Sequence, residues 1–139
     1  MGCSAEDLPG DYWTVTVTGS ENLCTGNGIG YSEQFDYRLE IDGNDVAVAI
    51  GEDVWATGVL DGCNLSYTSL AWSSYRNDLE IAWQIVGASK INVGGQGCVD
   101  EQDWEGTETF VITESAHPDV PPGCTYTLDV VGQYQRKVE

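Results

Sequence analysis

The chain reads as an all-β protein, an up-and-down antiparallel β-barrel of eight or nine strands. Three observations carry that expectation. Apolar and polar residues alternate with a period of two along most of the 139 residues. Short turns rich in Gly, Asp and Asn separate the alternating runs, and no convincing amphipathic helix is evident. A meander of this kind removes its unpaired edges by closing on itself. A two-sheet β-sandwich is the alternative, but it needs long crossovers where this chain mostly has hairpins.

The elements follow in order. Residues 1–9 read as an N-terminal tether, and residues 10–139 as one domain. In residues 12–18, Trp13, Val15 and Val17 share one face and the threonines the other, the pattern of a half-buried strand. Residues 35–41 alternate again, with apolar side chains at the odd positions. Asp42-Gly43-Asn44-Asp45 is a hairpin turn into residues 46–50. Gly51-Glu52-Asp53 turns into residues 54–60, and Asp61-Gly62-Cys63-Asn64 turns into residues 65–72. Residues 73–78 read as a polar loop. Strands are expected at 79–85 and 89–93, separated by a turn at Gly87-Ala88. A long loop, 94–106, precedes a strand at 107–113. A Pro-containing loop with the only histidine, His117, precedes the last strand at 124–134.

Composition excludes some roles. With 23 acidic against 5 basic residues the net charge is −18. Nucleic acid and anionic membrane surfaces both require Lys and Arg, so neither is an expected partner. A solvated acidic surface is the plain explanation, and attraction for a basic protein is the functional one. No apolar run is long enough for a transmembrane helix. A signal peptide is also missing, so if the chain is exported Met1 stands in place of a removed leader.

Export is implied by cysteine placement. Cys24, Cys63, Cys98 and Cys124 each lie beside a turn, as disulfide cysteines in an oxidising compartment do. In a meander, successive loops alternate between the two ends of the barrel. On the strand count above, Cys24 in loop 1 and Cys98 in loop 7 share one end, and Cys63 in loop 4 and Cys124 after loop 8 share the other. Since a disulfide needs Cα atoms within about 7 Å, Cys24–Cys98 and Cys63–Cys124 are favoured. Cys24–Cys124 is the runner-up, because the first and last strands of a closed barrel are neighbours. Buried free thiols and a zinc site are disfavoured by the turn-rich surroundings and the lack of any C-x-x-C pair. Gly2-Cys3-Ser4 resembles the end of a bacterial lipobox, which would make Cys3 a lipidated anchor and place the domain in the periplasm, at the outer membrane or outside the cell.

The opening Gly10-Asp11-Tyr12-Trp13 resembles the Gly-x-Trp start of the lipocalin and broader calycin group, with one residue more between Gly and Trp. The resemblance implies a barrel that binds a small apolar molecule. It also implies that Trp13 closes one end, with Arg136 or Lys137 packed across its ring by a cation–π contact. The chain is similar, too, to small exported β-rich lipoproteins of bacteria.

The ligand-cavity candidates are Trp13, Tyr37, Trp83 and Tyr126, all on inward faces. With five tryptophans and seven tyrosines, a filled interior is favoured over a hollow one. Loop parity groups Glu52, Asp53, Asp78, Asp100, Glu101, Asp103 and Trp104 at one acidic end, a face for a basic partner or, less strongly, for calcium. Trp55, Tyr75 and Trp104 lie near loops and could form a sugar- or protein-binding surface. No catalytic constellation stands out, no metal site or cofactor is expected, and His117 reads as a surface residue. Three functions compete: a binding module, a protein–protein or inhibitor module with a solid barrel, and a small barrel enzyme. A cavity above about 300 Å³ favours the first and third. A group of perturbed pKa inside it would favour the third.

Overall fold

The computed structural model describes residues 8–24, 30–76, 78–94, 97–118 and 120–139. The expected tether, including Cys3, lies largely outside them. Nine strands form one sheet: β1 (Gly10–Asn22), β2 (Ser32–Asp42), β3 (Asp45–Ile50), β4 (Asp53–Asp61), β5 (Asn64–Ser69), β6 (Trp72–Arg76), β7 (Leu79–Ile91), β8 (Trp104–Ser115) and β9 (Thr125–Val138). Every pairing is antiparallel. The order β5-β4-β3-β2-β1-β9-β8-β7-β6 closes through β5 and β7, so eight strands make an up-and-down barrel and β6 is additional.

The expected alternation holds. Trp13, Val15 and Val17 of β1 point inward and are buried. At the two-residue turns after β2 and β4, Gly43 (φ 63°) and Gly62 (φ 62°) supply the left-handed backbone that a tight hairpin needs. The second of these turns carries Cys63.

Several strands run longer than expected, β8 beginning at Trp104 inside the expected 94–106 loop, and two differences around β7 change the strand count. Gly87 and Ala88 form no turn. They pair with Tyr67 and Ser66 on one side and with Glu108 and Thr107 on the other, so 79–91 is one strand. Gly87 is there for space: a Cβ would lie only 2.1–2.5 Å from three atoms of the Tyr67 ring. Residues 72–76, expected to be mostly loop, continue the sheet as β6. β5 and β6 pair with successive halves of β7, interrupted at Leu70 and Ala71. Ser69 bridges the interruption. Its hydroxyl accepts the Ile85 N–H at 2.8 Å and donates to the Leu70 carbonyl at 2.8 Å.

Merging two strands into one changes the loop parity. The β7–β8 connection lies at the same end as the β4–β5 turn, so Cys98 meets Cys63 (Cα–Cα 6.0 Å). At the other end Cys24 meets Cys124 (Cα–Cα 5.3 Å). The favoured pairing Cys24–Cys98 and Cys63–Cys124 is therefore corrected.

One end of the barrel is packed solid. Trp13 and Trp104 are both 0 % exposed and meet edge to face, with ring centroids 5.5 Å apart. Leu39, Val48, Leu65, Ile91 and Val130 surround them, each contributing roughly 1.5–3 kcal/mol on burial. The Trp13 indole N–H donates to the Asn92 carbonyl (3.2 Å). Asn92 also organises the long β7–β8 connection. Its side-chain oxygen accepts the N–H groups of Cys98 and Val99, and its amide donates to Val99, Gln102 and Asp103. The Arg136 guanidinium stacks on Tyr12, 4.3 Å from the ring centroid, rather than on Trp13. Successive side chains of a strand point to opposite faces, so Tyr12 and Trp13 take different sides of the sheet, and a bulge in β9, where Tyr12 pairs with Arg136 but Trp13 with Tyr134, sets Arg136 opposite Tyr12.

Candidate functional site

The other end is hollow. A cavity of about 740 Å³ opens where the β1–β2, β3–β4 and β6–β7 connections gather. Its wall is a chain of rings: Trp55 with Trp72 (6.4 Å between centroids), Trp72 with Trp83 (4.9 Å), Trp83 with Phe110 (5.2 Å) and Phe110 with Tyr126 (5.9 Å). A β-bulge places the first. Val54 pairs with Ala49 and Ala56 with Val48, which leaves Trp55 without a cross-strand partner. The extra residue re-aims the strand, and the Trp55 ring lines the cavity. The solid interior favoured from the aromatic content is thus found at one end only.

The cavity ends at a carboxyl group. Glu108 of β8 is 3 % exposed and lines the cavity. Two phenols, from opposite sides of the barrel, donate to its Oε2: Tyr37 at 2.8 Å and Tyr67 at 2.7 Å. Burial pushes the Glu108 carboxyl above the usual carboxylate range, although both tyrosine hydrogen bonds pull it down. The Tyr37 and Tyr67 phenols are also pushed up, first by burial and then by the Glu108 charge, so both stay protonated donors.

This sets the sign of a pH effect. A carboxyl whose folded pKa is raised stabilises the fold in acid, and that contribution is lost as pH rises through the folded value. Glu108→Gln keeps an acceptor for both phenols without a buried charge. At pH 7 it is expected to stabilise the empty protein by about 1 kcal/mol. The difference should vanish as pH falls toward the ordinary value of 4.5. Urea unfolding of both proteins from pH 4 to 8 measures this, and parallel stability profiles would refute it.

The sequence-derived candidates separate. Tyr37, Trp83 and Tyr126 line the cavity, whereas Trp13 plugs the solid end. The acidic face does not assemble. Glu52, Asp53 and Asp78 lie at the open end, while Asp100, Glu101 and Asp103 lie in the β7–β8 connection at the solid end. Asp103 is structural there: its carboxylate accepts from the Asn92 amide (3.1 Å) and the Tyr134 N–H (2.9 Å). Trp104 is core, Trp55 is cavity wall and Tyr75 is exposed, so these three form no common surface. His117 is buried, not a surface residue. Among the described residues no group of three or more His, Cys, Asp or Glu is placed to hold a metal ion.

Sequence reasoning missed Glu108, Tyr67, Trp72 and Phe110. The signal for Glu108 was present: it shares its strand face with Trp104 and Phe110, an acid on an otherwise apolar stripe. No family model, curated protein or solved structure matches the chain.

Proposed function

We propose that this protein is an exported binding module whose open cavity holds one small, largely apolar ligand, in the manner of the lipocalin-like barrels it resembles. The cavity carries the reading. Its volume of about 740 Å³ lies in the range of small-molecule sites, and it joins an aromatic wall to one buried polar anchor. The two disulfides support an oxidising, extracytoplasmic compartment. Within that reading Cys3 is a lipid anchor. The acidic residues lie at both ends, which weakens the alternative of a docking module for a basic protein.

N-Phenyl-1-naphthylamine, a neutral apolar dye, tests the proposal. Its fluorescence should rise and saturate at one dye per protein. Trp83→Ala, which removes one wall ring, should weaken dye binding about tenfold. Folded protein that takes up neither this dye nor an apolar probe of similar size bearing an amine, a hydroxyl or a carboxylate would sink the reading.

A second reading, a small barrel enzyme, is favoured by one observation: the cavity acid has a raised pKa, as a general acid requires. Mass spectrometry of ligands recovered from the source separates the two. A binding module returns its ligand unchanged on incubation, and an enzyme returns a product.

A further inference from the structure

We infer that the ligand of this cavity carries a cationic amine, seated against Glu108, with its apolar body along the ring wall. The inference rests on the binding reading above and specifies its ligand class.

The first observation is the free half of the anchor. Tyr37 and Tyr67 both donate to Oε2 of Glu108, and no hydrogen bond among the described residues reaches Oε1. A carboxylate accepts about four hydrogen bonds. An almost fully buried carboxyl that keeps one oxygen unpaired on a cavity wall offers that oxygen to a donor.

The second is the sign of everything else lining the space. Among the described residues the ionisable lining groups are Glu108 from β8, Glu33 from β2 and Asp53 from β4, with the phenols of Tyr31, Tyr37 and Tyr126, and no described Lys, Arg or His lines the space. Tyr67 of β5 faces Glu108 from below. An anionic ligand would be repelled by every one of these carboxylates and by a chain of net charge −18. A neutral apolar ligand would further desolvate Glu108 without compensating it. An ammonium does compensate it, and the aromatic faces of Trp55, Trp72 and Trp83 attract cations besides.

The third is that the pair would not be left incompletely bonded. A buried ion pair is tolerable when extra hydrogen bonds satisfy its members. Here two phenols already hold the carboxylate from behind.

Proton balance follows directly. Where Glu108 is protonated in the empty protein, binding of the ammonium form releases one proton from Glu108 to solvent and leaves an ammonium–carboxylate pair. Glu33, Asp53, Tyr31, Tyr37, Tyr67 and Tyr126 are the other described titratable groups around that pair.

Three probes of one shape decide the matter: 2-(1-naphthyl)ethylamine, 2-(1-naphthyl)ethanol and 1-naphthylacetate, titrated calorimetrically at pH 7. The amine is expected to bind about 10- to 100-fold tighter than the alcohol, the scale of one charge-assisted hydrogen bond, and the acetate most weakly. Glu108→Gln should narrow the amine-to-alcohol ratio to about threefold or less. Should that variant fail to fold, a second readout remains in the wild type: amine binding in buffers of different ionisation heat should reveal a proton release that grows as pH falls from 7 toward the ordinary carboxylate range, and alcohol binding should not. Equal affinities for amine and alcohol in the wild type would overturn the inference while leaving the binding reading intact. Failure of all three probes and of the neutral dye would overturn both.

Discussion

Replacing Cys24 and Cys124 together by serine is expected to lower stability by about 4–5 kcal/mol, the largest effect of any change considered. The bridge spans a sequence separation of 100 residues, so without it the unfolded chain gains most of its lost freedom. It also ties the end of β1 to the start of β9, where the Leu23 N–H meets the Thr125 carbonyl. The same replacement at Cys63 and Cys98, a separation of 35, should cost about 1 kcal/mol less. Urea unfolding of the two double variants beside the wild type measures both. A greater loss from the shorter bridge would show that native-state contacts, not the unfolded chain, set the effect. Function adds a further distinction. Cys24–Cys124 lies at the open end of the barrel, near Tyr126 of the cavity wall, whereas Cys63–Cys98 lies at the solid end. At temperatures where both variants are folded, ligand affinity should therefore fall only when the first bridge is broken.

Trp104→Ala should cost about 3–5 kcal/mol. The ring is 0 % exposed and meets Trp13, Tyr37 and Tyr67 edge to face at 5.5, 5.6 and 6.3 Å. Removing it leaves a void in the solid end that the closed ladder cannot collapse to fill. The cost extends to the site. Tyr37 and Tyr67 hold Glu108, and both lean on Trp104, so the variant should also bind the naphthyl probes more weakly. Trp104→Phe is the informative companion. The Trp104 indole N–H has no hydrogen-bond partner among the described residues, so its removal breaks no bond seen there, and most of the packing survives. Its cost should stay below about half that of the alanine variant. Tyr75→Ala, where the ring is 71 % exposed, should change stability by less than about 0.5 kcal/mol. Thermal unfolding of the three proteins tests the ranking, and a loss at Tyr75 equal to that at Trp104 would contradict it.

Legibility differed between local and long-range features for physical reasons. The alternation in β1, β2 and β9 was readable because a strand's period is local and its inward face apolar. The turns at Gly43 and Gly62 were readable because short hairpins demand glycine. Gly87-Ala88 misled because a glycine that makes room for a ring in the fold looks the same in sequence as a glycine in a turn. That single ambiguity propagated. It shifted the loop count by one, exchanged the disulfide partners and drew Asp100, Glu101 and Asp103 toward an end they do not occupy.

The site shows the same division. Tyr37, Trp83 and Tyr126 were recognisable as inward aromatics, yet nothing local told them from Trp13. Which inward rings line a cavity and which fill the core depends on their height along a closed barrel. That height is set by strand stagger and by bulges such as the one at Trp55.

The sequence by itself determined the all-β class, the inward faces of most strands, two of the tight turns and the four cysteines available for pairing. Strand periodicity and turn chemistry are short-range, so each is written within a few residues. Only the tertiary structure decided which cysteines meet, which end is open, and that Tyr37, Tyr67 and Glu108 converge on one point. Those facts depend on closure between β5 and β7, which brings together residues as far apart in sequence as Tyr37 and Glu108 and buries a carboxyl that, in sequence, looks like any of the chain's other acids.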